Sequence, residues 1–557
     1  MTPSVSIGGR LGASIVCAVV LALSVALSFS YPLLDPDEGR NAEVAREMVA
    51  TRDFLVPRLA GMPYLDKPPA YFWTVALALA VAGNRPWAAR LPAAIAAAAT
   101  LWLIARHALR RDDPALAVRA PLLLAAAPLF AMLSAYVIFD MTLALCVTAL
   151  WTALAAELER GVSARRRLLM FAAVTAGVLI KGPVMLAWAL GGSLGAALFV
   201  RSRRPIAWLA WLPGWALFAG IAGGWFVLAS LRHPEYARYA FLEESLERMT
   251  TGAFHREQPW WFVPVVLVVG ALPWSLATPW RREIGTTSRV ALGFALFAAL
   301  FFSLSRSKLV TYLLPALPAL AWLAGEAWAR ARATARAAWT QAALFAALGV
   351  VLLGVALKGG EIVRASLGAN VAPSVIALAV ALIALAALAA WAGSARRPAL
   401  SFAAGLAFMP LTLGIGGPAL ARAAATQSGS PLARAIQSAA PGARVRYENC
   451  YSPGTDFLLG AVSELVSTTG GETTSNYQLR YRELLRSRGQ WRPMDIAPGV
   501  RGPLVIVRPA HGGPADTPAG VEFFRDRRFV AYRLPNATGP GDAASPTATG
   551  ARAPGSD

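Results

Sequence analysis

Residues 11–43 read LGASIVCAVVLALSVALSFSYPLLDPDEGRNAE. The run from Leu11 to Tyr31 carries no charge, and then Asp35, Asp37, Glu38 and Arg40 fall within six positions. A bilayer core takes about 20 apolar residues per helix, so the first part is a span. The acids that follow it directly are then held at a membrane surface. Arg10 precedes the apolar run, as in a secretory signal, but the run is long for one and the next loop is rich in chemistry. The same alternation of apolar run and charged loop recurs to about residue 420. It predicts an all-α polytopic membrane protein.

Composition agrees. The 557 residues are 56% hydrophobic and only 15% charged, which excludes a disordered chain and argues against a soluble enzyme. Lys plus Arg is 52 against 31 Asp plus Glu, a net charge of +21. A nucleic-acid binder would match the charge but not the apolar runs, so no nucleic-acid partner is expected. Lys occurs only at Lys67, Lys181, Lys308 and Lys358; the remaining basic residues are Arg, so each Lys departs from the chain's habit.

Thirteen spans are expected, at 11–31, 87–109, 116–135, 140–157, 168–180, 183–200, 206–231, 260–279, 289–305, 311–328, 338–357, 372–392 and 400–418. Basic loops at Arg106–Arg119, Arg160–Arg167, Arg201–Arg204, Arg281–Arg289, Arg330–Arg336 and Arg396–Arg397 share one side if the apolar stretch 69–84 does not cross. The positive-inside rule makes that side cytoplasmic, with the amino terminus. Stretch 69–84 then lies on the outer surface as an amphipathic or re-entrant helix. Three regions result: a transmembrane domain over 1–419 with outer loops 31–86 and 232–259, an outer α/β domain over 420–535, and a disordered tail over 536–557. The α/β reading rests on β-like runs Pro503–Val507 and Phe529–Leu534 and a helical stretch Asn476–Arg488. Cys17, Cys146 and Cys450 suggest no intrachain disulfide.

The polar outliers collect on the outer side. Asp37 and Arg40 belong to an acid-rich helix start; a helix dipole explains one acid there, not three followed by Arg. The chemical alternative is a carboxylate acting as base or metal ligand, with Arg40 pairing a phosphate. Lys67, in Asp66-Lys67-Pro68, would sit at headgroup level. Snorkelling explains a basic residue there but not the choice of Lys; a compact ammonium suits a phosphate. Lys181, before Gly182-Pro183, interrupts an apolar hairpin, and Lys308 stands in Arg306-to-Tyr312. Asp140 is either a helix cap or a working acid. Glu38 and Arg58 of the first loop are candidate substrate contacts. If a divalent metal, Zn or Mg, is bound, Asp66 and His255 are its candidate ligands; no organic cofactor is expected.

These motifs, in this order, resemble the bacterial polyprenyl-phosphate-sugar glycosyltransferases of the GT-C superfamily, relatives of protein O-mannosyltransferases. Among these the likeness is to the lipid A 4-amino-4-deoxy-L-arabinose transferases. The segments are Pro36–Glu43, Asp66-Lys67-Pro68, Lys181-Gly182, His255–Trp261 followed by Leu272-Pro273-Trp274, and Ser307-Lys308-Leu309 leading to Tyr312. The resemblance implies transfer of aminoarabinose from undecaprenyl phosphate to a lipid A phosphate at the periplasmic face of the inner membrane, a lipopolysaccharide modification tied to polymyxin resistance. It matches Asp37 to an essential acid, Lys67 and Arg40 to positions near the donor phosphate, and Tyr64, Asp140, Lys181, Lys308 and Tyr312 to polar cavity positions. Gly39 and Asp66 depart from the enteric pattern, which has a hydroxyl residue and Glu there. The expected partners are the lipid-linked donor, lipid A and the bilayer, with the chain a monomer. The alternatives are a related transferase with a protein or glycan acceptor, and a flippase for a lipid-linked precursor. A flippase would not require three acids crowded into one outer loop.

Overall fold

The computed structural model describes residues 7–247, 257–277, 284–328, 334–358, 372–467, 470–491, 504–511, 518 and 520–534. The chain is a multi-pass helical membrane protein with a small α/β unit at its carboxyl side. Among the described residues nine helices are long and apolar enough to cross a membrane, from Gly8–Ser30 to Pro398–Thr426. The thirteen expected spans each meet a helix or consecutive short helices. The shorter cases have local causes. Pro128 starts a new helix after Pro114–Ala125. Helix Ala164–Lys181 opens on Arg165, Arg166 and Arg167, so its apolar part is shorter than its length.

Helix direction fixes which residues can meet. Helix Phe139–Arg160 has Asp140 in its first turn and Arg160 in its last. Those ends are roughly 30 Å apart at 1.5 Å per residue. Helix Ala164–Lys181 runs back, with its Arg run beside Arg160 and Lys181 beside Asp140. The Arg-rich ends and the Asp/Lys ends therefore lie on opposite faces.

The first loop is ordered. Helix Asp37–Thr51 carries Asp37 and Glu38 in its first turn, where the dipole favours them. A two-residue hairpin pairs Arg58–Leu59 with Met62–Pro63. Helix Ala70–Ala82 occupies the stretch expected to be a surface helix. It buries Tyr71, Phe72 and Val75 and leaves Leu77 and Val81 exposed.

The carboxyl-side unit is a five-stranded sheet in the order Glu464–Val466, Arg444–Glu448, Leu504–Pro509, Phe529–Arg533, Val521–Arg525. The first three strands are parallel and the last two antiparallel. The helical stretch is two short helices, Asn476–Arg480 and Arg482–Ser487. All three cysteines are free. The expected tail lies outside the described residues.

Candidate active site

A cavity of about 460 Å³ opens where the first loop, the ends of several spans and the α/β unit meet. Asp37, Arg40, Tyr64, Asp66, Lys67, Asp140, Lys181 and Tyr312 all line it. Residues far apart in sequence thus converge, as the shared sidedness of their loops predicts. Trp188, Phe301, Phe302 and Leu309 also line the cavity and form an apolar wall.

Each cation is held by an acid. Arg40 Nη2 donates to Asp37 Oδ1 at 2.6 Å, one helical turn away. Arg40 Nη1 donates to Thr474 Oγ1 of the α/β unit at 2.5 Å. Lys67 forms a close ion pair with Glu244 and also donates to the Asp66 carbonyl at 2.8 Å. Lys181 forms a close ion pair with Asp140, and its ammonium lies 4.6 Å from the Tyr312 ring centroid. Asp140 is nearly inaccessible while Asp37 is half exposed, so of the two Asp37 is the acid open to a ligand. Burial pushes the Tyr64 phenol up, which keeps it a neutral donor.

Asp66 has a structural duty. It accepts from Tyr239 and Ser475 side chains and from the Tyr477 backbone N–H at 3.0 Å. Burial and the neighbouring Glu244 carboxylate push its pKa up. Its oxygens thus tie the cavity floor to the α/β unit. Among the described residues no group of three or more His, Cys, Asp or Glu gathers for a metal, and His255 lies outside them. Asp66 is therefore the one proposed metal ligand whose surroundings are defined.

Three expected contacts fall elsewhere. Glu38 is wholly buried in an ion pair with Arg90, so it supports the loop and faces no ligand. Arg58 sits on the hairpin, where it pairs with Asp53 at 3.3 Å and caps the Gly61 carbonyl. Lys308 donates to the Gln258 carbonyl at 2.9 Å; its neighbours Ser307 and Leu309 line the cavity, but it does not. The short loop turns successive side chains to opposite sides.

The α/β unit supplies what the sequence reading missed. Asp35 is buried against it, accepting from Ser452 Oγ at 2.6 Å, Gly454 N at 2.9 Å and Arg528 at 3.2 Å. Thr474 and Asn476 line the cavity itself. Nothing local in TTSN marks these residues, more than 400 positions from Arg40.

The family described as dolichyl-phosphate-mannose-protein mannosyltransferase matches residues 66–222. The chain is 32% identical to undecaprenyl phosphate-alpha-4-amino-4-deoxy-L-arabinose arabinosyl transferase 2 of Pseudomonas fluorescens, over 54% of this chain and 53% of that one. It is 32% identical to the arabinosyl transferase of Edwardsiella ictaluri, over 52% and 54%. The chain thus spans about half the length of the curated relatives it matches. The crystal structure of ArnT from Cupriavidus metallidurans bound to undecaprenyl phosphate superposes with a TM-score of 0.78 at 23% identity, covering 95% of this chain and 98% of that one. The apo form of the same protein gives 0.75 at 24% identity, over 93% and 97%. The likeness read from the motifs is borne out in sequence, and the whole fold is shared.

Proposed function

We propose that the chain is an integral-membrane glycosyltransferase. It moves aminoarabinose from undecaprenyl phosphate to a lipid A phosphate at the periplasmic face of the inner membrane, acting as a monomer. One observation carries this reading: Arg40, Lys67 and Lys181 converge with Asp37 on one cavity backed by an apolar wall. That combination fits a phosphate carrying a lipid chain. The relatives named above as undecaprenyl-phosphate aminoarabinose transferases support the choice of donor. The Arg-rich helix ends on the opposite face support a cytoplasmic assignment there and a periplasmic cavity.

The chemistry follows from charge. An acceptor phosphate oxygen attacks the sugar's anomeric carbon as the bond from that carbon to the donor phosphate oxygen breaks. The electron pair stays on the departing lipid phosphate, whose charge rises. Fixed cations stabilise that growing charge, and Arg40, Lys67 and Lys181 take this role. Lys308 does not, since it lies outside the cavity wall. An acceptor phosphate is already anionic near neutral pH, so Asp37 need not remove a proton. It orients Arg40 and stabilises positive charge developing on the sugar. A divalent metal at Asp66 would add Lewis-acid charge, and no step above depends on one.

Mass spectrometry of lipid A from cells with and without the chain tests the reading. A pentosamine added to lipid A phosphate only when the chain is present is the expected result. Unmodified lipid A beside a newly glycosylated protein or glycan would overturn the acceptor assignment.

A further inference from the structure

The cavity is completed by a segment of the α/β unit, Thr473 to Gln478, laid across the first loop. It is fastened on both sides of Thr474. Thr473 Oγ1 donates to Gln478 Oε1 at 2.7 Å, and Gln478 Nε2 donates to the Pro63 carbonyl at 3.1 Å. Ser475 Oγ and Tyr477 N both donate to Asp66. Between these fastenings Thr474 has φ = 56°. A β-branched residue rarely adopts that left-handed conformation, and such outliers persist only where the surroundings impose them, often at functional sites.

The conformation has a visible result. The Thr474 hydroxyl donates to the Thr473 carbonyl at 2.7 Å, which turns its lone pairs outward. They accept from Arg40 Nη1 at 2.5 Å. Arg40 is thereby braced from two sides, by Asp37 on its own helix and by Thr474 from another domain. These two bonds use only part of the guanidinium's N–H groups. A guanidinium held by two fixed partners, with terminal N–H groups left over, is prepared for an anion. A flexible Arg would have to be ordered each time a ligand binds.

We propose that Thr474 is a positioning residue that acts through Arg40, so that the α/β unit sets the phosphate affinity of a cavity built mainly by the spans. The proposal rests on the functional reading above, in which Arg40 meets the lipid phosphate. It requires no contact between Thr474 and the substrate.

The test uses the full chain in detergent and a polyprenyl monophosphate as probe, with binding followed by native mass spectrometry. Thr474→Val removes the hydroxyl and keeps the branched shape; Thr474→Gly removes both and relieves the backbone. Both should weaken binding about tenfold, the scale of one charge-assisted hydrogen bond. Thr474→Ser should stay within about twofold, since it keeps the acceptor. The deciding measurement is a double-mutant cycle. In an Arg40→Ala background Thr474→Val should have no further effect, because its route is already gone. Normal binding by Thr474→Val, or an undiminished loss in the Arg40→Ala background, overturns the role of Thr474 alone. A wild-type chain that does not bind the probe overturns the functional reading, and this inference with it.

Discussion

Arg90 and Glu38 form a fully buried ion pair in which every guanidinium N–H is used. Arg90 Nε and Nη2 donate to the two Glu38 oxygens at 2.8 and 2.7 Å. The remaining donors reach the carbonyls of Ser28, Tyr31 and Pro32 at 2.7–2.9 Å. Glu38 also accepts from the N–H groups of Leu34 and Val137. The pair locks the exit of the first span to the start of the helix carrying Asp37 and Arg40. Removing one partner strands a buried charge, at a cost of about 3–5 kcal/mol. Arg90→Ala and Glu38→Ala should therefore each lower the melting temperature in detergent well below that of Asp37→Asn. Unchanged melting with lost transfer in Glu38→Ala would return Glu38 to the substrate contacts.

Gly39, where the enteric pattern has a hydroxyl residue, has a physical reason here. A Cβ at Gly39 would lie 2.6 Å from Gly454 N and 2.0 Å from Asp35 Oδ1. Helix Asp37–Thr51 meets the α/β unit at that point, and backbone approaches backbone. Gly39→Ala should cost about 1–3 kcal/mol, the usual scale of overpacking. Proteolysis of the folded chain should then cut between the spans and the α/β unit at lower protease than in wild type.

Arg40 and Arg58 provide a contrast within one loop. The sequence places Arg40 near the donor phosphate and Arg58 among the candidate substrate contacts. In the fold Arg40 lines the cavity, while Arg58 is occupied by Asp53 and Gly61 on the hairpin. Arg40→Ala should lower kcat about a hundredfold or more, as loss of one preorganised charge donor does. Arg58→Ala should leave kcat within about twofold and affect stability by less than about 1 kcal/mol, as a partly exposed ion pair would. Equal losses in the two variants would show that the hairpin reaches the ligand.

The difference between what was legible and what was not follows from range. Span positions and sidedness depend on local apolar length and on Arg in short loops, so Asp140 and Lys181 could be placed on one face before any contact was known. Lys67 and Lys181 stood out because they broke an Arg habit. Lys308 stood out for the same reason, yet its ammonium turns to the Gln258 carbonyl, because composition says nothing of which way a loop residue points. Glu38 looked like a substrate contact because its partner, Arg90, lies 52 positions on inside an apolar helix. Thr474 was beyond reach: its signal is a backbone angle imposed by Asp66 and Gln478.

Asp456 gives the docked α/β unit a pH dependence. Burial pushes its carboxyl up to about 7, against the opposing hydrogen bonds from Ser463. The folded state therefore binds this proton more tightly than the unfolded state, whose value is 3.8. Stability from this group is present in full below 3.8 and is lost as pH rises toward about 7. Asp456→Asn removes the titration. The melting temperature of wild type minus that of Asp456→Asn should fall between about pH 4 and pH 7, the window set by those two values. A difference that stays flat or rises with pH would contradict the assignment.

Lys67 lies where two requirements meet, because it pairs with Glu244 and lines the cavity. A ligand phosphate must share or displace that carboxylate. Lys67→Ala should abolish transfer, a loss of about a hundredfold or more in kcat, since a fixed charge at the departing phosphate is gone. It also leaves Glu244 without its ammonium, so a loss of folding could mimic the result. Lys67→Met with Glu244→Gln removes both charges and keeps the volume, and should restore the melting temperature while transfer stays low. Glu244→Gln alone should bind polyprenyl phosphate more tightly than wild type, because the competing carboxylate is neutralised. Weaker binding in that variant would mean that Glu244 serves to aim Lys67 at the phosphate.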